Sequence, residues 1–487
     1  MKVITKTVLL KVYEPNEGKK KCLDRVIELY AKVLDFYLDV IKKAGIYRIV
    51  ALARKKKEGK SGKKSNWALN LLEELTISTP YHPNPPYPIP FSVRVDIRRS
   101  AINQAIGMVS SYVSNLKNWY EEGKELGHSK PSYPNPKSYS PQLYSTLVEL
   151  EDLWIREKKR FHFVRIKVLN EKGKWEWKNY PVKVYKRLYE FLDKGYKPLK
   201  SARLIRRRKD YYIAITLQKV VKEKKIKKPK YVINVDLNIQ RNLACVGIFE
   251  IDWDRKESKL YGIKFINGEL LRLVYKRDYL IEEIRKRQEL TGRGPRKGDN
   301  RRLWEKVKNI NRDIALKVAR EISDIAKEFS QRGETVVVFE NLKGLRGDKR
   351  KGKRLNRKIN FWMRRKIHER VKEISVEEGF GIDFVYPSYT SKRCSVCGSE
   401  GERFSPNGSK ALFRCSVCGY TVNGDVNAVF NQHFLYLSHL LNGGGKARSV
   451  VRVGTSLKSP STEGRNLSGV PKATATFCYI SSLLSTF

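Results

Sequence analysis

Residues 231–239 read YVINVDLNI, and their alternation decides the fold of the larger half of the chain. Ile233, Val235, Leu237 and Ile239 share one face of a predicted strand, which leaves Asn234, Asp236 and Asn238 together on the other. A carboxylate between two amides in mid-strand can ligate a cation, although the same pattern also suits the solvent side of an antiparallel strand. ACVGIFEID and YGIKFING follow at hairpin spacing. A long basic helical pair is expected over about 270–331, then TVVVFE at 335–340, a helix to about 379 and the strand IDFVYP. Strands alternating with helices in this order predict an α/β domain. The four apolar residues before Glu340 imply a strand buried on both faces, where a terminal acid either sits in a crevice beside the sheet or is a strand-ending surface residue. Asp425 opens DVNAVFNQHFLYL, where an acid suits a helix N-terminus and would also serve as an N-cap. Three acids from a strand, a strand end and a helix start can bind two Mg²⁺, which activate water and stabilise the leaving oxygen in phosphodiester hydrolysis. Glu250, Asp252 and Asp254 alternate in FEIDWD and read instead as a solvated hairpin rim; Asp348 and Asp383 read as structural.

Cys394-x2-Cys397 and Cys415-x2-Cys418 are separated by seventeen residues, and Gly398 and Gly419 follow the second Cys of each pair. That is the spacing of a zinc ribbon, with each glycine supplying the positive φ of a knuckle. Four cysteine ligands close the coordination sphere, so one Zn²⁺ would be structural. Cys22, Cys245 and Cys478 stand alone, and seven cysteines in 487 residues exclude a secreted disulfide scaffold. The six histidines, at 82, 128, 162, 368, 433 and 439, show no ligand spacing.

Upstream, VITKTVLLKVY at 3–13 reads as an opening strand, and apolar residues recurring from Val26 to Ile41 predict a helix over 22–44. RKKKEGKSGKK at 54–64 is a solvated or phosphate-contacting loop, and HPNPPYPIP at 82–90 a rigid linker. A second long helix is expected from about 91 to 123, ended by the Pro- and Ser-rich stretch 129–141. From 160 to 221 the period changes to two, predicting a small β domain that strand 3–13 would cap if the sheet closed into a barrel. KEKKIKKPK at 222–230 reads as a charged linker. The Gly-, Ser- and cation-rich stretch 441–487 reads as a disordered basic tail.

One hundred Lys and Arg against 51 Asp and Glu give a net charge of +49, a self-repulsion best tolerated beside a polyanion. With 40% apolar residues and 11% aromatics the chain is too hydrophobic for a disordered basic tail, which leaves a folded protein with a basic surface and nucleic acid as the first partner to consider. The segment 346–366 carries eleven cations and one acid, with Phe361 and Trp362 near its end, and matches a surface that tracks a phosphate backbone. Lys349, Arg350, Lys351, Lys353, Arg354, Arg364 and Arg365 are its candidate contacts. Apolar runs are too short to span a bilayer, and Lys6 and Lys11 break any signal-peptide core. No membrane and a cytoplasmic location in a cell without a nucleus are expected.

The order VDLNI, FENLKG, YTSKRCSVCG, RCSVCGY and DVNAVFN resembles the RuvC motifs and inserted zinc ribbon of transposon-encoded TnpB proteins, relatives of the miniature type V CRISPR nucleases. The resemblance is specific over roughly 231–432 and architectural upstream. It implies a multidomain α+β protein: a β-barrel-like wedge domain (1–15 and 130–227) with a helical recognition insertion (16–129), then a RuvC/RNase H-like nuclease domain (228–390 and 419–440) holding the zinc ribbon (391–418). It implies that Asp236, Glu340 and Asp425 are the Mg²⁺-binding catalytic acids. The activity implied is that of an RNA-guided DNA endonuclease, a monomer using guide RNA from the transposon's right end against double-stranded target DNA next to a short flanking motif. A catalytically silent RNA-guided repressor and a miniature type V effector are the alternatives. The family usually has Gly where Asn234 and Asn238 stand, and often a basic residue in place of Gly424.

Overall fold

The computed structural model describes residues 2–53, 67–124, 129–136, 138–157, 160–221, 226–238, 243–255, 257–293, 296, 298–341, 364–386, 390–404, 411–441 and the backbone of 474–476. It divides into two compact units, one formed by Val3–Val220 and the other chiefly by Val221–Phe487.

The first unit opens with β1 (Lys2–Lys11) and the long helix α1 (Glu17–Lys43). This helix starts five residues before the apolar periodicity does, because the Asn16 side chain accepts the Lys19 amide at 2.9 Å and caps a first turn that has no buried face. Tyr30, Val33, Leu34, Tyr37 and Ile41 form its buried stripe. Helices α2 (Tyr47–Ala53), α3 (Trp67–Glu74) and α4 (Val95–Asn118) follow, and a wider π-type turn at Trp119–Gly123 carries α4 to the expected end near residue 123. Then come β2 (Gln142–Leu143), β3 (Val148–Glu149), β4 (His162–Leu169), β5 (Trp175–Val182), α5 (Lys186–Asp193), β6 (Lys197–Arg207) and β7 (Asp210–Val221).

These strands form two sheets, ordered β1-β7-β6-β2 and β3-β4-β5, rather than the expected barrel. Closure needs a continuous ladder around the ring. Here the sheets meet along a single bridge, Val12 to Val182, and α5 separates β5 from β6. No closed barrel forms among the described residues. The two sheets and α1–α4 share one apolar core that includes Leu10, Val26, Ala101, Val164, Tyr180 and Ile213.

The second unit is built on β8 (Tyr231–Leu237), β9 (Ala244–Asp252) and β10 (Glu257–Ile266), an antiparallel meander. After α6 (Glu269–Leu290) and α7 (Arg301–Ser330), β11 (Thr335–Glu340) pairs parallel to β8; after α8 (Arg364–Glu378), β12 (Gly381–Val385) pairs parallel to β11. β13 (Gly401–Phe404), β14 (Leu412–Cys415) and β15 (Thr421–Asn423) make a separate small sheet, and α9 (Gly424–Leu441) returns to the main one. Of the stretch 441–487, Thr474–Thr476 forms β16 beside β10, and residues 442–473 and 477–487 lie outside the described residues. The main sheet therefore runs β12-β11-β8-β9-β10-β16.

Helices α6, α7 and α8 bury Val274, Ile314, Val318, Ile322 and Val371 against one face of this sheet. Helix α9 covers the other, with Val426 and Val429 over Cys245 and Phe249, and Tyr436 and Leu437 over Val232, Val336 and Val338. Gly247 permits that approach, since a Cβ there would lie 2.2 Å from Val429 Cγ1. No helix among the described residues is long and apolar enough to cross a membrane.

Candidate active site

Strand β8 is covered on both faces, which settles the two readings of its polar side. Val232 and Asn234 lie under α9 rather than in solvent, and Asn234 is fully buried with neither amide atom hydrogen-bonded. Asp236, two residues on, is the first position on that face to regain partial solvent contact. Parallel pairing of Phe339 with Val235 sets the register, and its next step puts Glu340 beside Asp236 at the carboxyl ends of adjacent strands. Asp425 arrives from α9.

The start of α9 explains how Asp425 stays available. Asn423 performs the capping: its Oδ1 accepts the backbone amides of Asp425 at 2.9 Å and Val426 at 3.4 Å. The Asp425 carboxylate instead accepts a hydrogen bond from Arg403 NH1 at 3.1 Å, while Arg403 NH2 donates to the Gly424 carbonyl at 2.8 Å. Arg403 lies on β13, and a Cβ at Gly424 would stand 2.8 Å from its guanidinium carbon. The guanidinium of Arg403 thus reaches over position 424, where glycine leaves it room. Sequence reasoning missed Arg403, whose sole signal was a cation within the strand between the two cysteine pairs.

Glu340 accepts a 2.6 Å hydrogen bond from the Thr390 hydroxyl. Asn431 Nδ2 in turn donates to the carbonyls of Thr390 and Arg393, both at 2.8 Å. Asn427, one turn earlier on α9, donates to the Arg393 carbonyl at 2.7 Å and accepts the Ser395 amide at 3.0 Å. One face of α9 therefore ties the loop touching Glu340, the first cysteine knuckle and Asp425 to a single rigid element.

Asp236 is densely surrounded by protein while keeping a narrow solvent opening. Burial first, then the like charges of Glu340 and Asp425, push its carboxyl well above the usual range, with Arg403 opposing them. A cation among these oxygen donors would relieve that repulsion. The three carboxylates are not drawn within 4.8 Å of one another as the cysteine thiols are.

The Sγ atoms of Cys394, Cys397, Cys415 and Cys418 all lie within 4.8 Å of one another, with Cys394 3.6 Å from Cys418 and Cys397 3.4 Å from Cys415. Amides of Val396 and Cys418 point at the sulfurs of Cys394 and Cys415, and Gly398 and Gly419 adopt φ of 75° and 72°. Four thiols at this spacing with knuckle hydrogen bonds match a structural Zn²⁺ site.

Of the candidate nucleic-acid contacts, Lys349, Arg350, Lys351, Lys353 and Arg354 lie outside the described residues. Arg364 and Arg365 open α8; Arg365 is exposed and pairs with Glu369, whereas Arg364 is half-buried. The acids set aside as a hairpin rim are one: Asp252 Oδ1 accepts the amides of Asp254 and Arg255 in the β9–β10 turn. In the first unit, a cavity of about 660 Å³ is lined by Asn103, Gln104, Ser111, Asn115, Tyr144 and Arg203. It is rich in donors and acceptors, and no sequence motif announced it.

The chain matches the Aq_aa04 family over residues 6–170 and the Cas12f1-like TNB domain over residues 365–432. TnpB-like protein aq_aa05 of Aquifex aeolicus (strain VF5) is 80% identical over 306 residues, 63% of this chain and 100% of its own length. Uncharacterized protein aq_aa04 of the same organism is 89% identical over 172 residues, 35% of this chain and 99% of its own. The putative RNA-guided DNA endonuclease InsQ of Escherichia coli (strain K12) is 32% identical over 179 residues, 33% of this chain and 40% of its own. A cryo-EM structure of a Cas12f1–sgRNA–target DNA complex shares the fold with a TM-score of 0.51 at 14% identity, covering 88% of this chain and 98% of that one. With a four-cysteine cluster in the segment matched by the Cas12f1-like TNB domain, and a TnpB-like relative matched over its whole length at 80% identity, the chain belongs to the TnpB family.

Proposed function

We propose that this protein is an RNA-guided DNA endonuclease of a transposable element, in which Asp236, Glu340 and Asp425 hold the catalytic metal. The observation that carries the reading is the register that sets Glu340 beside Asp236 at adjacent strand ends, with Glu340 and Asp425 each held by a dedicated partner and both adding like charge at Asp236. Structure alone gains nothing from gathering three acids, and sites of this kind are kept for function. Divalent ions bound there would activate water and stabilise the leaving oxygen of a phosphodiester. The protein's own share is to hold the carboxylates: Thr390 orients Glu340, Arg403 orients Asp425, and α9 ties both supports together.

Guide RNA from the transposon's right end would pair with the target strand, and the cationic segment 346–366 would follow the phosphate backbone of the paired nucleic acid. The polar cavity of the first unit, with amides at Asn103, Gln104 and Asn115 and a guanidinium at Arg203, suits the reading of base edges in the short flanking motif. Relatives named for RNA-guided DNA cleavage support this reading, as does the fold shared with a guide-RNA and target-DNA complex.

The test is to express the protein with its native flanking DNA, sequence the RNA that copurifies, and use that RNA to program cleavage of a matched duplex. Cleavage should require Mg²⁺ and should vanish in Glu340→Gln while binding of RNA and target persists. Copurification of heterogeneous cellular RNA alone, or cleavage that survives Glu340→Gln, would overturn the proposal.

A further inference from the structure

The match to the Aq_aa04 family stops at residue 170, inside a compact unit that runs from Val3 to Val220. Domain boundaries fall in linkers where few contacts cross. Residue 170 instead opens the tight turn between β4 and β5. There Asn170 Oδ1 accepts the amides of Lys172 and Lys174, and Gly173 takes φ of 73°. Glu171 to Lys174 are exposed. The relatives aq_aa04 and aq_aa05 account for 35% and 63% of this chain, each over essentially its whole length. Laid end to end, the two shares would fill nearly all of this chain with one division near this turn.

We propose that the fold is built to work as two interlocking polypeptides joined at the 170–174 turn, the surface of the first piece being a docking site for a second piece that begins at β5. The argument is topological. In the sheet β1-β7-β6-β2, the two central strands lie after the turn and both outer strands before it. In β3-β4-β5, the turn separates the last pair, an antiparallel ladder from His162 with Val182 to Leu169 with Trp175. A divided chain would therefore be stitched along three separate strand seams. Without its partner, the β6–β7 hairpin would expose both edges.

Side chains repeat the pattern. Tyr180, Val182, Leu204, Ile213 and Ile215 from after the turn complete the core laid down by α1 and α4. Tyr211 donates to Asp24 at 2.7 Å, Arg206 pairs with the same carboxylate at 2.9 Å, and Lys19 donates to the Asn179 carbonyl at 2.8 Å. An interface that is itself a domain core is of the obligate kind. Beyond connectivity the turn contributes its own Asn170 amide bonds and an Arg25–Glu171 ion pair open to solvent, so cutting it costs chain entropy and no buried apolar contact.

The experiment inserts a protease site between Lys172 and Gly173 of the full chain and cleaves the purified, folded protein. Size exclusion at about 100 nM, far above the dissociation constant of a nanomolar complex, should return both pieces in one peak at the elution volume of the uncut chain. Coexpression of 1–172 and 173–487 as two tagged polypeptides should give capture at equal stoichiometry, and Val182→Asp in the second piece should reduce that capture at least tenfold. Separation or precipitation of the pieces after cleavage overturns the proposal, as does capture unchanged by Val182→Asp. The readout is association alone and needs no nuclease activity.

Discussion

At Arg403 a single side chain reaches from the ribbon to both Asp425 and the Gly424 carbonyl. Arg403→Ala should leave zinc content and RNA binding in place and slow cleavage on the order of ten- to a hundredfold, with Arg403→Lys intermediate. Single-turnover rates at saturating guide and target would show it; an unchanged rate would mean the pair has no part in positioning Asp425. His433 provides a second residue-scale test. It is stacked on Phe249, and burial pushes its imidazole down to about 3. The unfolded chain binds that proton at pH 5 and the native chain does not, so the stability it contributes is complete above about 6.5 and is lost as pH falls toward 3. Between pH 6.5 and 5 the loss should be about 2 kcal/mol, and His433→Phe should flatten that stretch of the denaturant-midpoint profile. Equal pH slopes in both proteins would refute it.

At the scale of elements, α9 is the part on which the site depends. Its Asn427 and Asn431 hold the loop that carries Thr390 and Cys394, so unfolding the ribbon should reach the acids. Cys394→Ser is expected to lower zinc from one per chain toward zero and to impair cleavage through the start of α9. Unchanged zinc by atomic absorption would exclude the site. The seat of α9 on the sheet is equally specific: Gly247→Ala drives a methyl into Val429 and should cost about 1–3 kcal/mol. Adding Val429→Ala should restore part of it, and strict additivity of the two changes would count against the contact.

How far these elements were readable follows from what each depends on. TVVVFE, YVINVDL and the cysteine pairs are local patterns, and they lie where their periodicity and spacing place them. The burial of Asn234 was not legible, because the helix covering it is encoded some two hundred residues later. Nor was Asn423 as the cap of α9, since Asp425 offers the same chemistry two positions on. The open form of the first unit's sheets depends on α5 standing between β5 and β6, which leaves Val12 to Val182 as the bridge between the sheets and which no strand pattern reports. Arg403 was hidden because a lone cation in a strand carries no signal until the fold brings it to an acid.

For the whole molecule, a charge of +49 predicts affinity for any polyanion and a steep response to salt. Raising KCl from 50 to 200 mM should weaken binding of an unrelated RNA by on the order of 10³ or more, and the copurifying RNA by less. Matching slopes for the two in filter binding would argue that charge alone accounts for retention. The order of the three acids along the chain has a consequence in time. Asp236, Glu340 and Asp425 leave the ribosome in that sequence, and at roughly 5–20 residues per second the last is not made until about 20–85 s after initiation. For roughly the second half of that interval the unit Val3–Val220 is already made and free to fold, while a product terminated before residue 425 lacks the third carboxylate. Translation itself withholds the third acid of the proposed site until the whole first unit has been made.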